Sequence, residues 1–237
     1  MQRGRRVLVV GATGRLGVAV AKALAQRGDR VVLMARDAAK LEGLAAQVGP
    51  SPGEPAPFVR ADLLEERAHE GIVDGIRRGI GRLDDIVLAC GPFPRTPFDD
   101  LRRDDLVRTL TVHAIAPLLL VHALAGDLAD SRGAVVALTD AGVTRPYTNH
   151  VAYLTAKGAL QAGLRALSVE LAPEVRVNMV ALGIVADPEA DADPLRLHRL
   201  ATRTPLGRFG SAEEVVHVVL SLLDATWATG EIWGVGR

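Results

Sequence analysis

Cysteine is nearly absent from this sequence: Cys90 is the only one among 237 residues. A single thiol excludes an internal disulfide and is compatible with a reducing compartment. An excess of charge is also lacking, because Lys+Arg and Asp+Glu both number 28. A neutral balance argues against nucleic acid or an anionic membrane as the main partner, and no metal site is expected.

Long hydrophobic runs are lacking as well. The apolar run behind the basic N-terminus is only Val7 to Val10, shorter than the ~7–15 residues of a secretory signal. The most apolar helical pattern, Ile115 to Leu124, contains Pro117 and His122, and it falls short of the ~18 apolar residues of a membrane span. We therefore expect a cytoplasmic protein without a membrane segment.

The hydrophobic residues that are present, 49% of the chain, suffice for one α/β domain spanning residues 1–237. Short β-branched runs alternate with helical patterns, which predicts βαβ units, a parallel sheet of about seven strands and helices on both faces, in a doubly wound (Rossmann) fold. The predicted strands are Val7–Val10, Arg30–Met34, Pro57–Arg60, Ile86–Ala89, Ala134–Leu138, Val175–Val180 and Glu231–Val235. The predicted helices are Leu16–Gln26, Ala38–Gln47, Leu64–Arg78, Leu101–Leu124, Val151–Leu171 and Ala212–Leu223.

An acidic, proline-interrupted segment, residues 187–194, follows the sixth strand. The carboxyl edge of a doubly wound sheet is where ligands bind, so the segment predicts a substrate lid near residues 185–208. A solvated loop is the alternative.

A glycine-rich loop joins the first strand to the first helix. Its glycines are Gly11, Gly14 and Gly17, with Arg15 and Leu16 between the last two. Such glycines permit a tight turn and close approach of the backbone to a pyrophosphate, which the helix N-terminus then stabilises. The position between a strand and a helix favours a dinucleotide site over a structural turn.

The second predicted strand is followed by Ala35, Arg36 and Asp37. An acid at the strand tip binds the ribose 2′-OH of NAD, whereas a guanidinium binds the 2′-phosphate of NADP. Arg36, assisted by Arg15, therefore favours NADP(H), unless Asp37 faces the ribose. Asp62, after the third strand, is interpreted either as a contact for the adenine amino group or as a helix N-cap.

Tyr153 and Lys157 are four residues apart on a predicted helix, so both side chains lie on one face. A neighbouring ammonium is expected to lower the pKa of the phenol, which would allow proton transfer to a carbonyl or imine. With two tyrosines and three lysines in the chain, the spacing arises by chance in about one in forty such chains. Asp140 lies 13 residues before Tyr153 at the end of the fifth strand, either in the same pocket or as a turn residue.

These residues resemble the short-chain dehydrogenase/reductase family over essentially the whole chain. The matching landmarks are the Gly11–Gly17 loop, Asp62, Tyr153 with Lys157, Arg176-Val177-Asn178, Gly183 and Thr229-Gly230. The resemblance implies that Tyr153 donates a proton, that Lys157 holds the nicotinamide ribose, and that Gly183 belongs to the cofactor site. It also implies a homotetramer formed through the helices 101–124 and 151–171.

Three features resemble the pteridine reductase branch of that family. Asp140 replaces the usual serine, Arg15 replaces a glycine of the loop, and Phe93 matches the aromatic residue on which a pterin ring stacks. In this branch Asp140 would aid proton delivery. Other positions depart from the family: the fourth strand ends in Ala89-Cys90-Gly91, and His113 replaces an asparagine, where it is either a substitute proton relay or a packed helix residue.

The leading hypothesis is thus an NADPH-dependent oxidoreductase that transfers a hydride to a carbonyl or imine of a small molecule, with a pterin-like heterocycle as one substrate class. A keto reductase of the same family is the alternative within enzymes. A dinucleotide-binding regulator that has lost catalysis is the alternative from another class. Sugar-nucleotide epimerases share the glycine spacing but usually have a larger C-terminal region.

Overall fold

The computed structural model describes residues 4–51, 53–185, 194–202 and 204–236. Its centre is one seven-stranded sheet of order β3-β2-β1-β4-β5-β6-β7, in which every neighbouring pair is parallel. The strands are β1 Arg6–Val10, β2 Arg30–Ala35, β3 Phe58–Arg60, β4 Asp85–Leu88, β5 Ala134–Asp140, β6 Arg176–Leu182 and β7 Ile232–Val235. The predicted doubly wound sheet is confirmed.

Helices cover both faces of the sheet. They are α1 Arg15–Arg27, α2 Ala38–Val48, α3 Ala68–Ile80, α4 Arg103–Leu110, α5 Ala116–Ala123, α6 Ala125–Asp130, α7 Val151–Glu170, α8 Pro194–Ala201 and α9 Ala212–Asp224. Along β1, Leu8 and Val10 pack into one hydrophobic cluster, whereas Val7 and Val9 pack into the other. Burial on both faces explains why this strand is a continuous apolar run instead of an alternating one.

Two predicted helices differ from the structure. The predicted helix 101–124 is divided into α4, a π-helical segment at Thr111–Ile115, and α5. Pro117 lies at the start of α5, and because proline has no N–H, the regular hydrogen-bond ladder is interrupted one turn earlier. The predicted helix 64–78 begins only at Ala68, because residues 64–67 form turns behind Asp62.

The same helical run, Arg103–Ala123, is long and apolar enough to cross a membrane by length and composition, with a mean hydropathy of 1.5 over its most apolar window. In this fold α4, the π segment and α5 all contact α7. The run therefore packs against the rest of the domain. Helices that pack within a domain can also meet the length and composition criteria for a membrane span.

The strand order reverses between β1 and β4, which are neighbours at the centre of the sheet. In doubly wound sheets, ligands bind in the crevice at the carboxyl ends of the strands where this reversal occurs. The glycine loop follows β1 and Gly91 follows β4, so both line this crevice.

Of the predicted lid, residues 186–193 and 203 lie outside the described residues, and the described remainder includes α8.

Candidate active site

A groove of about 820 Å³ runs along the carboxyl ends of β1, β2 and β4. It is lined by Gly11 and Gly14 of the glycine loop, by Arg36 and Asp37 after β2, and by Asp62 after β3. His113 lines it as well. The groove thus extends from the tip of β2 towards the residues predicted to act in catalysis.

The glycine loop is shaped by close backbone approaches. Gly11 has φ +79°, and a Cβ atom there would lie 2.7 Å from the carbonyl oxygen of Ala89. A Cβ atom on Gly17 would collide with the carbonyl oxygen of Gly11, so Gly17 allows α1 to pack directly on the loop. Leu16 packs against the hydrophobic cluster that contains Val7 and Val9, and it does not line the groove. This cradle, which side chains would fill, fits a pyrophosphate at the N-terminus of α1.

Basic side chains lie at the β2 end of the groove. Arg36 is exposed there, directly after the strand ends at Ala35. Asp37 caps α2 by accepting a hydrogen bond from the Lys40 backbone N–H at 3.1 Å, and its carboxylate lies 3.7 Å from Lys40 Nζ. Asp37 thus caps the helix, but its side chain is 47% exposed and lines the groove together with Arg36 and Lys40.

Asp62 also lines the groove, and its carboxylate accepts a hydrogen bond from Leu64 N–H at 3.0 Å. Because α3 begins six residues after it, the prediction that Asp62 is a helix N-cap is wrong. Asp62 stabilises a turn, and its position in the groove is consistent with the predicted adenine contact.

Neither Arg15 nor Gly183 lines the groove. Arg15 donates a hydrogen bond to the carbonyl of Val185, after β6, on the opposite side of β1 from Arg36. The two arginines therefore do not converge on one phosphate in this structure. A Cβ atom on Gly183 would collide with the carbonyl of Gly236. Gly183 therefore allows the residues after β6 to pack directly against the residues after β7.

Tyr153 and Lys157 lie on one face of α7, and both are buried, with 7% and 6% of their surfaces exposed. The Tyr153 hydroxyl donates to Asp140 Oδ2 at 3.0 Å. Lys157 Nζ donates to the carbonyl of Leu138 at 3.0 Å and lies 5.8 Å from the centre of the Tyr153 ring. The structure thus brings the three predicted catalytic residues together at the end of β5.

Asp140 is held by several donors. Besides Tyr153, the hydroxyl of Tyr147 donates to the same Oδ2 atom at 3.0 Å, and Gly142 N–H donates to Oδ1 at 2.6 Å. Asp140 is therefore both a turn residue and a partner of Tyr153, so the two interpretations of its role are compatible. An ionised carboxylate with these donors only accepts hydrogen bonds and cannot donate one to a substrate.

The pKa of Tyr153 is raised above its usual value, first by burial and then by the negative charge of Asp140. The expectation that this pKa is lowered is wrong: burial and the charge of Asp140 raise it, although the Lys157 ammonium lies 5.8 Å from the centre of the ring. Burial also lowers the pKa of Lys157. The environment keeps the Tyr153 phenol protonated at neutral pH, but the raised pKa also makes the phenol a weaker acid.

An aromatic cluster surrounds the mouth of the site. Phe93, 60% exposed, stacks on the His150 ring with 4.5 Å between centroids and lies edge-on to Tyr153 at 4.9 Å. Tyr147 packs edge-on to His150 at 4.9 Å. Phe93 therefore lies beside the Tyr153 phenol, and one of its faces is covered by His150.

His113 lies in the π segment, 1% exposed, with its ring edge-on to Tyr153 at 5.3 Å. Neither ring nitrogen has a hydrogen bond of normal geometry to any described residue. Burial and then the charge of Lys157 lower its pKa to about 3, against a small opposing effect of the Pro92 backbone. A Cβ atom on Gly91, whose φ is +105°, would collide with the ring. His113 is thus a neutral imidazole, and its ring occupies the space that a side chain at position 91 would need.

The sequence reasoning missed three residues of the site. Gln161 donates to Thr139 Oγ1 at 3.1 Å and thereby fixes the end of β5; its spacing, eight residues after Tyr153 on the same helix face, was a usable signal. Lys40 could have been found one helical turn after Arg36. Tyr147 had no such signal, because its position follows from the irregular loop behind β5.

A family model described as enoyl-(acyl carrier protein) reductase matches residues 11–236. L-xylulose reductase from Bos taurus is 32% identical over 227 residues, which cover 93% of this chain and 89% of that protein. The granaticin polyketide synthase putative ketoacyl reductase 2 of Streptomyces violaceoruber is 33% identical over 234 residues, covering 95% and 92%.

Solved structures with the same fold extend over the whole chain. L-sorbose reductase from Gluconobacter frateurii, complexed with NADPH and L-sorbose, has a TM-score of 0.90 at 22% identity and covers 98% of this chain and 95% of its own. An NAD+-bound xylitol dehydrogenase has a TM-score of 0.90 at 26% identity and covers 99% of each chain. Similar folds therefore accept either dinucleotide.

Proposed function

The chain belongs to the short-chain dehydrogenase/reductase family, and we propose that it is an NADP(H)-dependent reductase of small-molecule ketones. The observation that supports this most directly is the arrangement of Tyr153, Lys157 and Asp140 beside a groove whose far end is basic. The complete set of catalytic side chains favours an enzyme over a dinucleotide-binding regulator.

The groove fits a dinucleotide phosphate. In our proposal, the backbone of the Gly11–Gly17 loop and the N-terminus of α1 bind the pyrophosphate, and Asp62 binds the adenine. Arg36 and Lys40 bind the 2′-phosphate, since a guanidinium forms charge-assisted hydrogen bonds with phosphate oxygens. NADPH, when bound, supplies the hydride.

The residues of the chain supply the proton and the geometry. Tyr153 donates its phenolic proton to the oxygen of the reduced carbonyl, and Asp140 keeps the hydroxyl in place through the 3.0 Å hydrogen bond. Lys157, fixed by Leu138, lies beneath the phenol and holds the nicotinamide ribose. Its positive charge stabilises the phenolate that forms when the proton leaves.

A ketone substrate is favoured over a pterin-like one. The pterin hypothesis rests on Asp140, Arg15 and Phe93, but Arg15 contacts Val185 and one face of Phe93 is covered by His150. The relatives named above include an L-xylulose reductase and a putative ketoacyl reductase. Asp140 can accept a hydrogen bond from a hydroxyl next to the carbonyl, which suits α-hydroxyketones such as ketoses.

A panel of substrates tests the proposal. NADPH oxidation should be followed at 340 nm with ketoses, small diketones, a ketoacyl thioester, quinones and a dihydropterin, in parallel with the Tyr153→Phe variant. We expect turnover of at least one ketone by the parent and none by the variant. Turnover confined to the dihydropterin would favour the pteridine branch, and no turnover of any member would contradict the proposal.

We also propose a homo-oligomer in the cytoplasm. Exposed aliphatic side chains lie on the helices predicted to form a tetramer: Val107, Ile115 and Leu119 on the α4–α5 run, and Val151 and Val169 on α7. Light scattering behind size exclusion should give a tetramer, and Leu119→Glu should give a smaller species with an unchanged circular dichroism spectrum. A monomeric parent would contradict this part.

A further inference from the structure

The sequence contains two tyrosines, Tyr147 and Tyr153. The hydroxyl groups of both donate a hydrogen bond to the same oxygen atom of Asp140. Each hydroxyl lies 3.0 Å from Oδ2, so the two phenol oxygens are within hydrogen-bond reach of one shared acceptor. A continuous hydrogen-bonded path, Tyr153–Asp140–Tyr147, therefore exists in the structure.

The path leads from the interior to the surface. Tyr153 is 7% exposed, whereas Tyr147 is 37% exposed. The Tyr147 ring occupies the space beside Gly142, where any Cβ atom would collide with it, and it packs edge-on to His150. The loop is therefore built so that a solvent-accessible phenol lies on the carboxylate that holds the buried one.

We propose that Tyr147 is a proton-delivery residue that restores the proton of Tyr153 through Asp140 after each reduction. This inference rests on the proposed reductase activity, which consumes one proton per turnover. Lys157 is engaged by the Leu138 carbonyl, whereas the path through Asp140 is already connected by hydrogen bonds.

The proton balance is simple. Tyr153 gives its O–H proton to the substrate oxygen and becomes a phenolate. The O–H bond of Tyr147 breaks as its proton moves to Asp140 Oδ2, and Asp140 passes a proton to the Tyr153 oxygen. The Tyr147 phenolate then takes a proton from water or a buffer acid, so the three groups return to their starting state and no electrons are transferred among them.

The test compares the first turnover with steady-state turnover in Tyr147→Phe, which removes only the hydroxyl. Rapid mixing with NADPH and the best ketone of the panel should give a first-turnover rate within about twofold of the parent, because Tyr153 still has its proton. Steady-state turnover should fall at least about tenfold and recover as imidazole buffer is added. The matched control is Thr144→Val, which removes another hydroxyl of the same loop, one bonded to Ala141, and should change neither rate.

A second measurement is independent of activity. Because the chain has no other tyrosine, phenolate absorbance at 295 nm after a rapid pH jump reports on this path alone. Burial and then the Asp140 charge raise the pKa of both phenols, so Asp140→Asn, which removes the second cause, should shift the ionisation of both to lower pH. If the panel yields no substrate but this shift occurs, only the proposed function fails.

Two results would overturn the inference. An equal fall of the first-turnover and steady-state rates in Tyr147→Phe would show that the hydroxyl serves substrate binding or folding. Unchanged rates would show that the path does not conduct protons. An Asp140→Asn variant with the parent's tyrosine ionisation would show that the carboxylate does not link the two phenols.

Discussion

Arg36 is expected to set the preference for NADPH over NADH, and Arg36→Ala is the sharpest test of the cofactor assignment. Its side chain is exposed at the β2 end of the groove, and Asp37, the residue that could favour NADH, is engaged in capping α2. The variant should therefore lose affinity for the 2′-phosphate, while Asp37, which lines the same groove, is unchanged.

The size of the effect follows from the environment of Arg36. A hydrogen bond to a charged group contributes about 1.5–3 kcal/mol, which corresponds to roughly tenfold to 150-fold in Kd. Salt and water screen an exposed pair, and Lys40 remains in the same groove, so the lower end applies. We expect Arg36→Ala to weaken NADPH binding about tenfold and to leave NADH binding within about twofold.

Isothermal titration calorimetry of both dinucleotides measures this without a substrate. The parent's preference for NADPH should shrink between low and high salt, because the interaction is electrostatic. Arg165→Ala is the matched control, since Arg165 is an exposed arginine on α7 outside the groove. Equal parent affinities for NADPH and NADH, or an equal loss of both in Arg36→Ala, would refute the reasoning.

Three further predictions concern the side chains at the proposed active site. Tyr153→Phe should lower kcat by about 10²–10⁴-fold, while the dinucleotide Kd values from calorimetry stay within about twofold of the parent. Lys157→Ala should lower kcat and also raise the dinucleotide Kd. Substantial activity in Tyr153→Phe would exclude Tyr153 as the proton donor. Asp140→Ser should lower kcat on the best ketone, because a shorter and uncharged side chain replaces the carboxylate that holds both phenols; an unchanged or higher kcat would reduce Asp140 to a turn residue. The pKa of His113 is 6.5 in the unfolded chain and about 3 in the folded protein. Between these two pH values the unfolded chain binds the proton and the folded protein does not. The free energy of unfolding should therefore fall as the pH drops from 6.5 towards 3, by at most about 1.4 kcal/mol per pH unit. Urea titrations at pH 7 and pH 5 should show a smaller loss for His113→Asn, and an identical loss in both proteins would contradict the lowered pKa.

Periodicity alone determined most of the fold. The apolar runs such as Val7–Val10 predicted the central strands within a few residues, because strands buried on both faces must be continuously hydrophobic. The partly exposed edge strands β3 and β7 were also located within a few residues. The spacing of Tyr153 and Lys157 predicted their convergence, because residues four apart share a helix face whatever the tertiary context. The strand end at Ala35 placed Arg36 in the groove for the same local reason.

Only the tertiary structure decided the contacts that depend on loops and on the approach of distant segments. Arg15 contacts Val185, which is 170 residues away along the chain, and no local pattern predicts that pairing. The raised pKa of Tyr153 follows from burial and from Asp140, both set by the packing of α7 on β5. Tyr147 reaches Asp140 through an irregular loop that Gly142 makes possible. Hydrogen bonds and charge effects of this kind act through space, so their partners are fixed only when the sheet and its helices have assembled.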